Sequence, residues 1–146
     1  MKLRNGFVSN SSSSSFVVTM KNGEKMTKEI LMEIFDVKKT SPLYKFAKDL
    51  TKWIINNVKE MDIKDIYENY IGNKERTLTD EEMIEEIVAD YGGMNKKELE
   101  KIARKEYRYY SGDAASDSGD GLEYYLCENG INIETDIIKI ESGGGY

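Results

Sequence analysis

Apolar positions along the chain change period several times, and each change marks an element. Phe16-Val17-Val18-Thr19-Met20 is aromatic and β-branched and predicts a strand, followed by an Asn22-Gly23 turn signal. Thr27 then caps a short helix to about Phe35, with Ile30, Leu31, Ile34 and Phe35 on its buried side. Ser41-Pro42 is the clearest helix start in the chain, a Ser cap followed by the only proline. From Leu43 the positions Phe46, Ala47, Leu50, Trp53, Ile54, Val58 and Met61 recur at spacings of three and four. They predict one amphipathic helix of about five turns, with Lys45, Lys48, Lys52 and Lys59 on its far side.

Three further helices carry their own start signals. Asp62 heads Ile63, Ile66, Tyr67, Tyr70 and Ile71, with Gly72 as the stop. Thr79 and Glu82 form a capping box ahead of Met83, Ile84, Ile87, Val88 and Tyr91. Asn95 with Glu98 repeats the signal before Leu99, Ile102, Ala103 and Tyr107. By composition Ser111 to Gly121 is a loop, Leu122 to Glu128 a short helix, and Ile131, Ile133, Ile137, Ile138 and Ile140 a strand or hairpin. The expected fold is α+β: a small antiparallel sheet from N- and C-terminal strands, packed on one face against four or five helices. A mostly helical fold with a minor hairpin is the alternative. One domain over 1–146 is expected, with a serine-rich segment at 1–15 and a glycine-rich tail at 142–146.

Composition narrows the chemistry more than it names it. With 21 basic and 27 acidic residues, the net charge of −6 argues against direct nucleic-acid binding and against an anionic membrane surface. No apolar run has the length of a membrane span, and no apolar stretch of a secretory signal follows Met1-Lys2-Leu3-Arg4. The single Cys127 precludes an internal disulfide and fits a reducing compartment, so a cytoplasmic location is expected. Histidine is absent, which removes Ser-His-Asp and Cys-His nucleophiles, His-ligated zinc and imidazole acid–base catalysis.

The remaining candidate chemistries are thin. Cys127 sits beside Glu128 near a helix C-terminus, with Glu123 four residues earlier, and such neighbours disfavour a thiolate. Asp113, Asp117, Asp120 and Glu123 suggest a calcium loop, but counting from Ser116 the twelfth position is Cys127 where a bidentate Glu is needed. Asp36-Val37-Lys38 and Asp62-Ile63-Lys64 offer carboxylate–lysine triplets of the kind an Mg²⁺-dependent nuclease uses, yet both flank helices and arise readily in a chain one-third charged. No catalytic residue, metal site or cofactor is assigned, and an enzyme ranks last.

Charge distribution points elsewhere. Asp80, Glu81, Glu82, Glu85, Glu86 and Asp90 lie on one predicted helix without a basic residue, while the next carries Lys96, Lys97, Lys101, Arg104, Lys105 and Arg108. Two solvated faces that attract each other or complement their own helix dipoles is the simpler account; a docking surface for a basic protein partner is the functional one.

The opening Arg4-Asn5-Gly6-Phe7-Val8-Ser9-Asn10-Ser11-Ser12-Ser13-Ser14-Ser15-Phe16 resembles that of many small bacteriophage and prophage proteins of Gram-positive bacteria. Ser116-Asp117-Ser118-Gly119-Asp120-Gly121-Leu122-Glu123-Tyr124-Tyr125-Leu126 is loosely similar to some members as well. The resemblance implies a phage origin, and no mechanism attaches to it. Phe7, Ser9, Asn10, Ser11 to Ser15 and Phe16 are therefore a candidate recognition or modification segment, in which a hydroxyl-rich loop is held between two apolar anchors. A plain connector is the equal alternative. The leading expectation is a non-enzymatic phage interaction protein, including an inhibitor of a host or defence protein. A virion or packaging protein whose serine-rich opening is a targeting or processing signal is the alternative.

Overall fold

The computed structural model describes residues 13–72, 77–91, 94–115 and 121–142. Within them the chain runs β1 (Ser13–Met20), α1 (Lys28–Phe35), α2 (Tyr44–Asn57), β2 (Lys59–Met61), α3 (Ile63–Tyr70), α4 (Asp80–Tyr91), α5 (Lys96–Ala103), β3 (Arg108–Ala115), α6 (Gly121–Asn129), β4 (Asn132–Glu134) and β5 (Ile138–Ser142). The five strands form one antiparallel sheet in the order β2-β3-β1-β5-β4. The fold is α+β, with the terminal strands β1 and β5 side by side as expected. None of the described helices is long and apolar enough to cross a membrane.

Of the five helix starts that the sequence signals, four are built as read. Thr27 Oγ1 accepts the Ile30 N–H at 3.2 Å. Asp62 and Asp65 satisfy each other's backbone N–H, and Thr79 and Glu82 do the same. Asn95 Oδ1 accepts from both Lys97 and Glu98. Ser41 caps a turn instead of the helix itself, its hydroxyl taking the Leu43 N–H, and α2 begins at Tyr44.

Helices cover both faces of the sheet, not one. Successive strand residues point to opposite sides. Phe16, Val18 and Met20 of β1, Tyr110 and Ala114 of β3, and Ile138 and Ile140 of β5 join a core with Leu31 of α1, Leu50, Trp53 and Ile54 of α2, and Leu126 of α6. Val17, Tyr109 and Met61 face the other way, into a second core with α3, α4 and α5. A strand such as Phe16-Val17-Val18, apolar at consecutive positions, is what two-sided burial requires.

Two expectations fail in the middle of the chain. The stripe that predicts one helix to Met61 ends at Asn57, where the Asn57 amide donates to the Trp53 carbonyl and Val58 turns extended. Val58 still packs in the first core and Met61 against the second, so the stripe is real but its last part alternates as a strand. Ser111 to Ala115, expected as loop, belong to β3, the strand that joins β1 to β2. Small polar residues carry little strand propensity of their own, and pairing with β1 along the whole segment, joined by β2 at Ser111, overrides it. The remainder of that loop, residues 116–120, and the tail 143–146 lie outside the described residues. Gly112 has a steric reason for its place. A Cβ there would sit 2.2 Å from the Asn57 carbonyl oxygen, so only glycine lets β3 pass beneath the end of α2.

Trp53 is 6% exposed and meets Phe16 edge to face, with ring centroids 5.3 Å apart. Its Nε1 has no hydrogen-bond partner among the described residues, which hold the ring by packing. Trp53→Ala is expected to cost about 3–5 kcal/mol in denaturant unfolding, and native Trp53 fluorescence to be that of a buried indole.

Gly112→Ala is expected to destabilise by at least about 2 kcal/mol, because backbone must move to admit the methyl group. The control Gly121→Ala, where nothing lies within 4 Å of the added carbon, should stabilise slightly, by under about 1 kcal/mol. Equal losses at the two glycines would remove the steric account.

Candidate functional site

The acidic residues of α4 project from a helix whose inner side is Met83, Ile84 and Ile87, all buried. Asp80, Glu81, Glu82, Glu85 and Asp90 are exposed, and Glu86 is half-buried. Two of the six have structural duties. Glu82 closes the helix cap with Thr79, and Glu86 accepts the Tyr67 hydroxyl at 2.9 Å, tying α4 to α3.

A cleft of about 290 Å³ separates α4 from α5, with Asp80, Glu81 and Glu85 on one wall and Lys96, Glu100 and Arg104 on the other. The opposite charges face each other across this cleft without touching, and Asp80 and Glu81 lie in the first turn of α4, where a negative charge also suits the helix dipole. Arg104 pairs with Glu106 at 2.6 Å, and no ion pair among the described residues joins Asp80, Glu81 or Glu85 to α5.

The serine-rich segment divides. Phe7, Ser9, Asn10, Ser11 and Ser12 lie outside the described residues. Ser13, Ser14 and Ser15 open β1 opposite Ala115, Ala114 and Asp113, so this part is strand and not loop. Ser14 and Phe16 are buried, while Ser15 is exposed on the opposite face.

Ser14 lies by Cys127, whose thiol donates to the Ala114 carbonyl at 3.3 Å. Burial pushes the thiol above its ordinary value, and the charges of Glu123 and Glu128 add to the rise against the Ser14 hydrogen bonds. That environment is the reverse of one that activates a nucleophile. Of the proposed calcium loop, Asp113 is an exposed residue of β3, and Glu123 is engaged by the Ala115 N–H at 2.8 Å; Asp117 and Asp120 lie outside the described residues.

A second concavity escapes sequence reading. Helices α3, α4 and α5 cover the sheet only as far as β1, and beyond their edge a groove of about 310 Å³ runs over β1, β5 and β4. Its floor includes Ser15, Lys139, Glu141 and Asn132, and its wall Tyr70, Met94, Asn95 and Glu98. Lys139 bonds Glu98 in the first turn of α5, with Glu141 at 3.8 Å. Partial burial alone would lower the Lys139 ammonium, but the hydrogen bond to Glu98 and the charges of Glu98, Glu141 and Glu134 outweigh it and raise its pKa. The alternation Ile138-Lys139-Ile140-Glu141 is the signal that marks this polar face; attention to the isoleucines alone passes over it.

No known protein family, curated protein or solved structure matches this chain. The geometry therefore carries the functional argument.

Because the Lys139 pKa is raised on folding, its ion pair contributes stability that is complete below the unfolded lysine value of about 10.4 and is lost as pH rises through the folded one. The stability difference between the wild type and Lys139→Met is expected to stay constant from neutral pH to about pH 10 and to shrink above it. Cys127→Ser is expected to leave function unchanged, and Cys127 itself to react slowly with a thiol reagent at neutral pH until the protein unfolds. Rapid labelling in the native state would contradict its burial.

Proposed function

We propose that the chain is a phage- or prophage-encoded interaction protein, without enzymatic chemistry of its own, acting in the cytoplasm of a bacterial host. It binds a basic protein partner, such as a host or defence protein, through the outward face of α4. The phage origin rests on the resemblance of residues 4–16.

The observation that carries the binding surface is that Asp80, Glu81 and Glu85 are exposed on one face and have no ion pair within the described chain. Carboxylates in this state keep their attraction for a partner and steer its approach. The inner side of α4 is meanwhile anchored by Met83, Ile84 and Ile87, which presents the carboxylates on a fixed scaffold.

Affinity purification from host cells, comparing the wild type with Glu81→Lys/Glu85→Lys, tests this. The wild type should retain a basic protein that is released by salt, and the variant should lose it. Glu82 and Glu86 are left intact because they hold the helix, so the variant should stay folded and lose only about 1 kcal/mol, from the reversed charge of Glu81 in the first turn. Equal recovery of the same partner by both proteins would exclude α4 as the surface.

A further inference from the structure

We propose that the groove over β1, β5 and β4 is a binding site for a neutral polyhydroxylated ligand, either a glycan or the ribose of a nucleoside. The two sides of these strands are made differently. Phe16, Val18, Ile138 and Ile140 are fully buried on the covered side. The groove side instead places Ser15, Lys139, Glu141 and Asn132 together, which is a floor for hydrogen bonding and not for another helix. Its volume of about 310 Å³ lies at the lower end of the range for small-ligand sites.

Charge complementarity selects the ligand class. The Lys139 ammonium stands between the carboxylates of Glu98 and Glu141, and this cluster of one positive and two negative groups repels an anion. A cation would have to share Glu141 with the ammonium already beside it. A hydroxyl meets neither obstacle, since it donates to a carboxylate while accepting from an amide or ammonium.

The groups for such bonding are in place. The Ser15 hydroxyl and the Asn132 amide make no hydrogen bond within the described residues. Asn95 commits its Oδ1 to the N–H groups of Lys97 and Glu98, which leaves its NH₂ to donate. Lys139 gives one N–H to Glu98 and retains two. Val17 and Met94 add apolar surface for the C–H face of a sugar ring.

The test is an amide-resolved NMR titration of the full chain with maltotriose, adenosine and adenosine monophosphate in parallel. Saturable shifts at Ser15, Asn132 and Lys139 are expected with maltotriose or adenosine, and which of them binds identifies the source of the hydroxyls. Asn132→Ala/Glu141→Gln should weaken that binding by about tenfold or more, as loss of two polar contacts does. Ser15→Ala, which removes one exposed hydroxyl, should weaken it less and repeats the test should the double variant fold poorly. Adenosine monophosphate binding tighter than adenosine would overturn the proposal by making this an anion site. So would the absence of shifts with both neutral probes at millimolar concentration, or unchanged affinity in the variants. The result is independent of α4, whose partner is read by purification.

Discussion

Strand β1 is the constraint on which the rest of the molecule depends. It lies third in the sheet, paired along its whole length with β3 and over its second half with β5. Phe16, Val18 and Met20 are fully buried on one side and Thr19 nearly so on the other, beside Val17. A slip of one residue would exchange the two sides and place three large side chains in the wrong core. Register, helix placement and the passage of β3 under α2 are therefore one problem with one solution. The tight approach of Gly112 to Asn57 belongs to the same register, because Gly112 stands opposite Phe16.

The two helical layers are unequal, and the inequality makes the groove. On one side α1, α2 and α6 pack against β1, β3 and β5 around Trp53, whose indole nitrogen has no hydrogen bond among the described residues. On the other, α3, α4 and α5 leave β5 and β4 uncovered. Polar residues take over where cover ends. Lys139 then serves as a tether from the sheet to the first turn of α5, a position where Glu98 also favours the helix dipole.

Electrostatics divides in the same layer. On α4, Asp80, Glu81 and Glu85 have no ion pair among the described residues, whereas three of the six basic residues after it are engaged locally: Arg104 with Glu106, Arg108 with Glu60 and the Gly23 carbonyl, and Lys101 over the Tyr107 ring. The acidic face therefore remains outward, and the basic face is partly consumed in joining α5 to β3. Pairs as exposed as Arg104–Glu106 add little to stability, so their main effect is on which charges stay available.

Local chemistry was legible in the sequence because its causes are local. Thr27, Asp62, Thr79 and Asn95 cap helices through contacts two or three residues away, and the apolar stripes of α2 and α4 show which side is buried. The presence of terminal strands was legible for the same reason. What the tertiary structure decided is everything that depends on partners far along the chain. The second half of β3 exists because β1 pairs with it throughout and β2 joins at Ser111, not because Ser111, Gly112 and Asp113 prefer to be extended. Ser14 is buried and Ser15 exposed though the two are chemically identical, since alternation in a strand sends one toward Cys127 and the other toward the groove. Two-sided burial of β1 is written in the consecutive apolar Phe16-Val17-Val18. How far each helical layer reaches, and so the half of the sheet beside Lys139 that α3, α4 and α5 leave open, depends on how many helices fit on each side, a quantity that no local pattern encodes.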